Sequence, residues 1–149
     1  MIDKILKTLI LFIFISSCGY TPIFSNSSNT NININIVRLD GEKHINSLLE
    51  QQLNRYKNSA ATRNYDFEIK SKYNKSILTK DTAGNATNYR LKLEIDIETI
   101  IGGSSKKMNF EETFDMKKEG TTFAEENYEK LIQRDMINLI VQKIILRLM

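Results

Sequence analysis

The chain has 149 residues, 41% hydrophobic and 26% charged, with one cysteine, one histidine, one proline and no tryptophan. That length fits one domain, the single cysteine excludes a disulfide framework or a multi-Cys metal site, and the single histidine leaves only His44 for a Ser–His or Cys–His enzyme. A scattered formal charge of +3 lacks the clustered basic stripe that nucleic-acid binding requires, so no nucleic-acid partner is expected.

Met1 to Cys18 carry the three parts of an export signal. Lys4 and Lys7 are basic, Leu9 to Ile15 is an unbroken apolar run, and the small residues Ser16 and Ser17 precede Cys18. The run is too short to span a hydrocarbon core, which takes about 20 apolar residues. An ordinary signal peptide or short membrane anchor would account for this much. Ile15-Ser16-Ser17-Cys18 further resembles a bacterial lipobox. That resemblance implies cleavage after residue 17, a diacylglycerol on the Cys18 sulfur, and acylation of the new amino group by a fatty acid such as palmitate. Each buried CH₂ contributes about 0.8 kcal/mol, so several chains hold a protein on a membrane where one would not. In Gram-negative lipoproteins Asp after the cysteine commonly means inner-membrane retention. Gly19 stands here instead, which implies an outer-membrane anchor with the globular part in the periplasm. Losing Asp3, Lys4 and Lys7 with the signal lowers the formal charge to +2.

Residues 18–30 form the acylated N-terminus and a Ser/Asn-rich tether containing the sole proline, Pro22. A domain over residues 31–149 follows. Ile32, Ile34 and Ile36 alternate with Asn33 and Asn35, the period of a half-buried strand. Asp40-Gly41 ends it, with Asp40 as a candidate cap for the next segment. From Glu42 to Lys57, Ile45, Leu48, Leu49, Leu53 and Tyr56 make one helical stripe, and 58–64 reads as loop. Tyr65, Phe67, Ile69 and Tyr73 point inward from a second strand that continues toward Lys80, and Asp81 to Asn85 is a turn.

The third strand is the clearest: Tyr89, Leu91, Leu93, Ile95 and Ile97 alternate with Arg90, Lys92, Glu94, Asp96 and Glu98. Gly102 to Ser105 lead into a fourth, where Met108, Phe110, Phe114 and Met116 share a face. Glu112 interrupts that face, which implies a bulge or an edge position. Thr121 to Met149 reads as a long helix, with Thr122 and Glu125 spaced as a capping box. Its stripe runs from Phe123 through Tyr128, Leu131, Ile132, Met136, Leu139, Ile140, Ile144 and Ile145 to Leu148. Val141 and Leu146 make its end more apolar than one face requires, so it is either buried on two sides or touches a partner.

The expected architecture is a two-layer α+β domain, a four-stranded mixed sheet covered on one face by two helices in the order β-α-β-β-β-α. The first helix sits where a crossover between parallel strands belongs, and short turns make the remaining pairs antiparallel. No phosphate loop is present, because Gly102-Gly103 lacks the following Lys-Ser/Thr. No serine sits in a nucleophile elbow, His44 reads as a surface residue, and the neighbours Glu111 and Glu112 face opposite ways on a strand. No catalytic residue, metal site or cofactor is expected, and the chain reads as a binding protein.

Three features together resemble the LptE family of lipopolysaccharide-assembly lipoproteins, in its alphaproteobacterial form. They are the start Cys18-Gly19-Tyr20-Thr21-Pro22-Ile23-Phe24, the element order, and the closing helix ending Ile144-Ile145-Leu146-Arg147-Leu148. The resemblance implies a non-catalytic plug and assembly factor inside the outer-membrane β-barrel LptD, assisting lipopolysaccharide delivery to the cell surface. Because lipopolysaccharide carries phosphates, Lys or Arg at strand ends and loops are candidate contacts: Lys75, Lys80, Arg90 and Lys92, around the Asp81–Asn85 turn. The same four also fit the solvated face of a hairpin. Two other functions remain open: a pilot lipoprotein for a different outer-membrane pore, and a periplasmic lipid-binding carrier with a cavity behind Leu91, Leu93 and Ile95.

Overall fold

The computed structural model describes residues 31–101 and 104–149; the export signal, Cys18 and the tether read over residues 1–30, and the Gly102-Gly103 connection, lie outside them. Alternation of apolar and polar side chains builds four strands, β1 (Ile32–Asp40), β2 (Arg63–Lys80), β3 (Ala86–Ile101) and β4 (Ser104–Lys117). Period-3.6 stripes build α1 (Lys43–Leu53), extended by a 3₁₀ turn over Asn54–Tyr56, and α2 (Thr122–Leu148). The sheet order is β1-β2-β3-β4, with β1 parallel to β2 and the other two pairs antiparallel. This is the mixed-sheet α+β architecture expected from the β-α-β-β-β-α order, with both helices on one face.

The core lies between the sheet and the helices. Phe67 of β2, Leu91, Leu93 and Ile95 of β3, Ile45 and Leu49 of α1, and Ile137 and Ile140 of α2 are fully buried there. α1 packs on β1 and against α2, and α2 packs on β4. Val141 is buried on the side of α2 that meets α1, whereas Leu146 is 69% exposed, so the apolar end of α2 is only partly explained by burial. The carbonyl of Leu148 accepts hydrogen bonds from Arg63 Nη1 at 3.1 Å and the Tyr65 hydroxyl at 3.4 Å, which satisfies an orphan carbonyl at the end of α2. Among the described residues no helix is long and apolar enough to cross a membrane.

Several local expectations need correction. Asp40 does not cap α1; it ends β1 and pairs with Arg38 at 2.8 Å, while Glu42 holds the N-cap position without a side-chain bond. The cap of α2 is Thr121, whose hydroxyl accepts from the Ala124 N–H at 3.2 Å, so Thr122 and Glu125 form no capping box. Glu112 makes no bulge, because β4 pairs with β3 in unbroken register from Ser104 to Lys117. It lies on an edge strand and its carboxylate meets Lys143 of α2. The register shifts lie elsewhere: in β1 between Ile36 and Arg38, which turns Val37 out to 60% exposure, and in β2 between Ile77 and Lys80, next to the hairpin turn. Phe123, Leu131 and Leu139, counted in the α2 stripe, are exposed, as is Phe114 of β4.

Candidate functional site

The antiparallel register of β2 and β3 carries their hairpin beyond the start of α2, and the four candidate cations gather around this end of the sheet. At the tip, the Asp81 carboxylate accepts from the backbone N–H groups of Ala83 and Asn85 at 2.9 and 2.8 Å and from Asn85 Nδ2 at 3.1 Å. Those Asn85 bonds hold its carboxyl below the usual range. Gly84 takes φ +86°, the left-handed conformation that closes the turn. Lys80, at the end of β2, is exposed and makes no ion pair among the described residues.

Period two divides the other three between the faces. Lys75 follows Phe67, Ile69 and Tyr73 onto the helix side. Its ammonium lies 2.7 Å from Glu125 and 2.8 Å from Glu129 of α2 and 4.3 Å from the centre of the Tyr89 ring. Burial alone lowers the pKa of Lys75, but the two carboxylates outweigh it and hold the ammonium above its ordinary value. The Tyr73 hydroxyl donates to the other oxygen of Glu129 at 2.6 Å, and burial, then this acceptor, push the phenol well above its usual range. The cluster ties the hairpin to the first turns of α2.

Arg90 and Lys92 stand two residues apart on the open face. The Arg90 guanidinium makes a two-pronged contact with Asp115 across the β3–β4 register, at 2.8 and 2.9 Å. That contact raises Arg90 and lowers Asp115 from their ordinary pKa values. Lys92 lies 2.5 Å from Glu94 and 3.1 Å from Glu111, and these hydrogen bonds hold its ammonium above the ordinary value. Arg90 and Lys92 thus share the open face, Lys75 is separated from them by the sheet, and Lys80 stands at the tip.

The rest of the open face is an ordered polar lattice. Lys70 lies opposite Asp96 and Lys72 opposite Glu94. Lys107 is 3.4 Å from Glu98, and Asn33 and Asn35 of β1 donate to Asn64 and Asp66 of β2 at 3.0 and 2.9 Å. Charge is unevenly distributed along the strands. Asp66, Glu68, Asp96 and Glu98 crowd the end far from the hairpin, where Glu68 and Glu98 oppose each other directly. A shallow groove of about 450 Å³ crosses that acidic end. Lys72, Arg90 and Lys92 stand on the hairpin half, each within 4.0 Å of a carboxylate of Glu94, Asp115 or Glu111.

Sequence reasoning gave Lys75 a place at the hairpin but not its partners, because Glu125 and Glu129 lie about fifty residues away in the chain. The spacing of Glu125 and Glu129, one helical turn apart on the face toward the sheet, is the only signal available beforehand. His44 is exposed near the start of α1.

Comparison with known proteins places these features among relatives. The family model described as "LptE: Lipopolysaccharide-assembly" matches residues 24–148. No curated protein sequence matches the chain. Among solved structures, the chain is similar to the rare lipoprotein B of Shewanella oneidensis, with a TM-score of 0.59 at 16% identity over 78% of this chain and 90% of that one. It is also similar to a lipoprotein B of Nitrosomonas europaea, with a TM-score of 0.53 at 18% identity over 76% of this chain and 78% of that one. At such identities the likeness is one of fold.

Proposed function

The chain belongs to the LptE family of lipopolysaccharide assembly, a family of non-enzymatic lipoproteins, and from that membership we propose that it is the plug and assembly factor of an LptD-type outer-membrane β-barrel. The observation that carries this reading is the open face of the sheet. Four strands present polar and charged side chains that are already paired across the register, such as Arg90 with Asp115 and Asn35 with Asp66. Such a face stays stable in water and meets the polar wall of a large barrel lumen without needing an apolar partner. On the other face Leu91, Leu93 and Ile95 are fully covered, which favours a filled plug over a lipid carrier with a cavity behind those residues.

Fatty chains on Cys18 would hold the domain at the periplasmic face of the outer membrane, raising its effective concentration beside the barrel. Lipopolysaccharide phosphates would be met by Lys80 at the tip and by Arg90 and Lys92 on the hairpin half of the open face, where a phosphate exchanges for a carboxylate of similar geometry. Lys75, the fourth candidate, lies on the helix side with its ammonium between Glu125 and Glu129 and would meet a phosphate only by exchanging one of those carboxylates. Depletion of the protein tests the proposal: correctly oxidised barrel and surface lipopolysaccharide should both fall. Normal levels of both would reject it.

A further inference from the structure

The free edge of β4 carries a charge pattern that matches its own reverse. Read forward from Lys106, the edge is Lys-Lys-Met-Asn-Phe-Glu-Glu, ending at Glu112. Laid antiparallel on a second copy with Asn109 opposite Asn109, Lys106 faces Glu112, Lys107 faces Glu111, and Met108 faces Phe110. Directly opposed side chains in such a pair point to the same face and lie close enough to interact. Registers centred on Lys107 or on Glu111 instead put like charges opposite each other. Charges on an edge strand ordinarily discourage pairing; this set opposes those two registers and rewards the one centred on Asn109.

A second feature lies along the same edge. Phe114 on the helix side of β4 is 40% exposed, and Leu131 and Leu139 on the flank of α2 are 51% and 48% exposed. With Tyr128 they line an open groove of about 200 Å³ between the strand and the helix. Isolated exposed apolar residues are ordinary, but a contiguous set beside an unpaired strand edge marks a contact surface. The two-fold axis at Asn109 keeps both copies' helices on one side of the joined sheet. It sets Phe114 opposite Ser104 of the second copy and turns the two α2 flanks toward each other.

We propose that the chain, when not bound to a barrel, forms a two-fold symmetric homodimer through β4, giving one continuous eight-stranded sheet stitched by the Lys106–Glu112 and Lys107–Glu111 pairs. Both halves of such an interface are the same patch, as closed two-fold symmetry requires. The ion pairs that these residues already make within one copy, Lys107 with Glu98, Glu111 with Lys92 and Glu112 with Lys143, become parts of longer alternating networks. This inference stands on the charge pattern and does not depend on the barrel reading.

Sedimentation of the full acylated chain in excess detergent micelles, without barrel, tests it. The wild type should dimerise, and the double variants Lys106→Glu/Lys107→Glu and Glu111→Lys/Glu112→Lys should each dimerise at least roughly tenfold more weakly. Mixed together, the two variants pair opposite charges at every position and should form a heterodimer at least as stable as the wild-type dimer. The Asn109→Cys variant should yield a disulfide-linked dimer joined through position 109. A wild-type chain monomeric at about 100 μM, charge variants that dimerise unchanged, or a mixture that stays monomeric would each overturn the proposal. Capture of a barrel strand by the β4 edge, with no self-association of the free chain, would overturn it as well.

Discussion

Gly41 and Ser71 are in contact: a Cβ at Gly41 would lie 2.2 Å from the backbone oxygen of Ser71. Gly41 also takes φ +117°, where any L side chain is strained. The contact is how the chain leaves β1 and turns over β2 into α1. Ser71 is itself buried and donates to Asn46 Oδ1 at 2.6 Å, fastening α1 to the same point. Gly41→Ala should therefore destabilise the fold by about 2–4 kcal/mol in urea titration. Ser71→Ala should be milder, about 1–2 kcal/mol, from the lost hydrogen bond. A Gly41→Ala variant as stable as the wild type would mean that this turn is built differently.

The Lys75 cluster predicts a specific coupling. Lys75→Met leaves Glu125 and Glu129 side by side and partly buried. Discounted for the quarter of the Lys75 side chain that is exposed, the loss is about 1–2 kcal/mol. Adding Glu129→Gln should recover part of that loss, so a double-mutant cycle should give a clearly non-zero interaction between the two positions. The pH dependence has a definite sign. Because Lys75 has a raised folded-state pKa, its contribution is whole below its ordinary value near 10.5 and disappears as pH rises through the folded value. Alkaline unfolding of Lys75→Met should show less dependence on pH above that point than the wild type.

The open face should weaken at the other end of the pH scale. Asp115 and Glu94 are held below their ordinary pKa values chiefly by hydrogen bonds from Arg90 and Lys92, and Glu98 chiefly by Ser105. Groups of this kind contribute above the ordinary carboxylate range and lose that contribution as pH falls through their lowered values. Protection of the β3 and β4 amides against hydrogen exchange, relative to their intrinsic rates, should therefore fall below about pH 4. Asp115→Asn should remove part of that acid sensitivity, and equal acid profiles for the two proteins would contradict the pairing.

Contact with lipopolysaccharide through the hairpin half predicts a graded loss. Arg90→Ala and Lys92→Ala together should weaken binding of the lipid roughly threefold to thirtyfold while leaving the circular dichroism spectrum unchanged. Lys107→Ala, at the acidic end of the same face, should have little effect. Equal losses from both ends would point to nonspecific attraction.

Legibility followed the range of the interactions. β3 was readable throughout, because five inward residues in strict alternation admit only a strand, and both helices were placed within a few residues by their stripes. What escaped depends on partners distant in sequence. Phe114, Leu131 and Leu139 have the right period to be core, yet periodicity gives a direction and not what lies there, and among the described residues they stay 40–51% exposed. Glu112 looked like a defect in β4 because Lys143, its partner, lies in another element. The buried Ser71 broke the inward pattern of β2 for a similar reason, since Asn46 satisfies it from α1. At the candidate site the cations were visible in the sequence, whereas the division between Lys75 on one face and Arg90 with Lys92 on the other required the register.

The identity of the pore held by the native protein bears most directly on the central claim, that this lipoprotein serves lipopolysaccharide assembly from within a barrel. Purified from outer membranes through a C-terminal tag, the chain should bring down an LptD-type barrel in equal amount, with bound lipopolysaccharide. Recovery with a different outer-membrane pore, or with no barrel at all, would contradict the account.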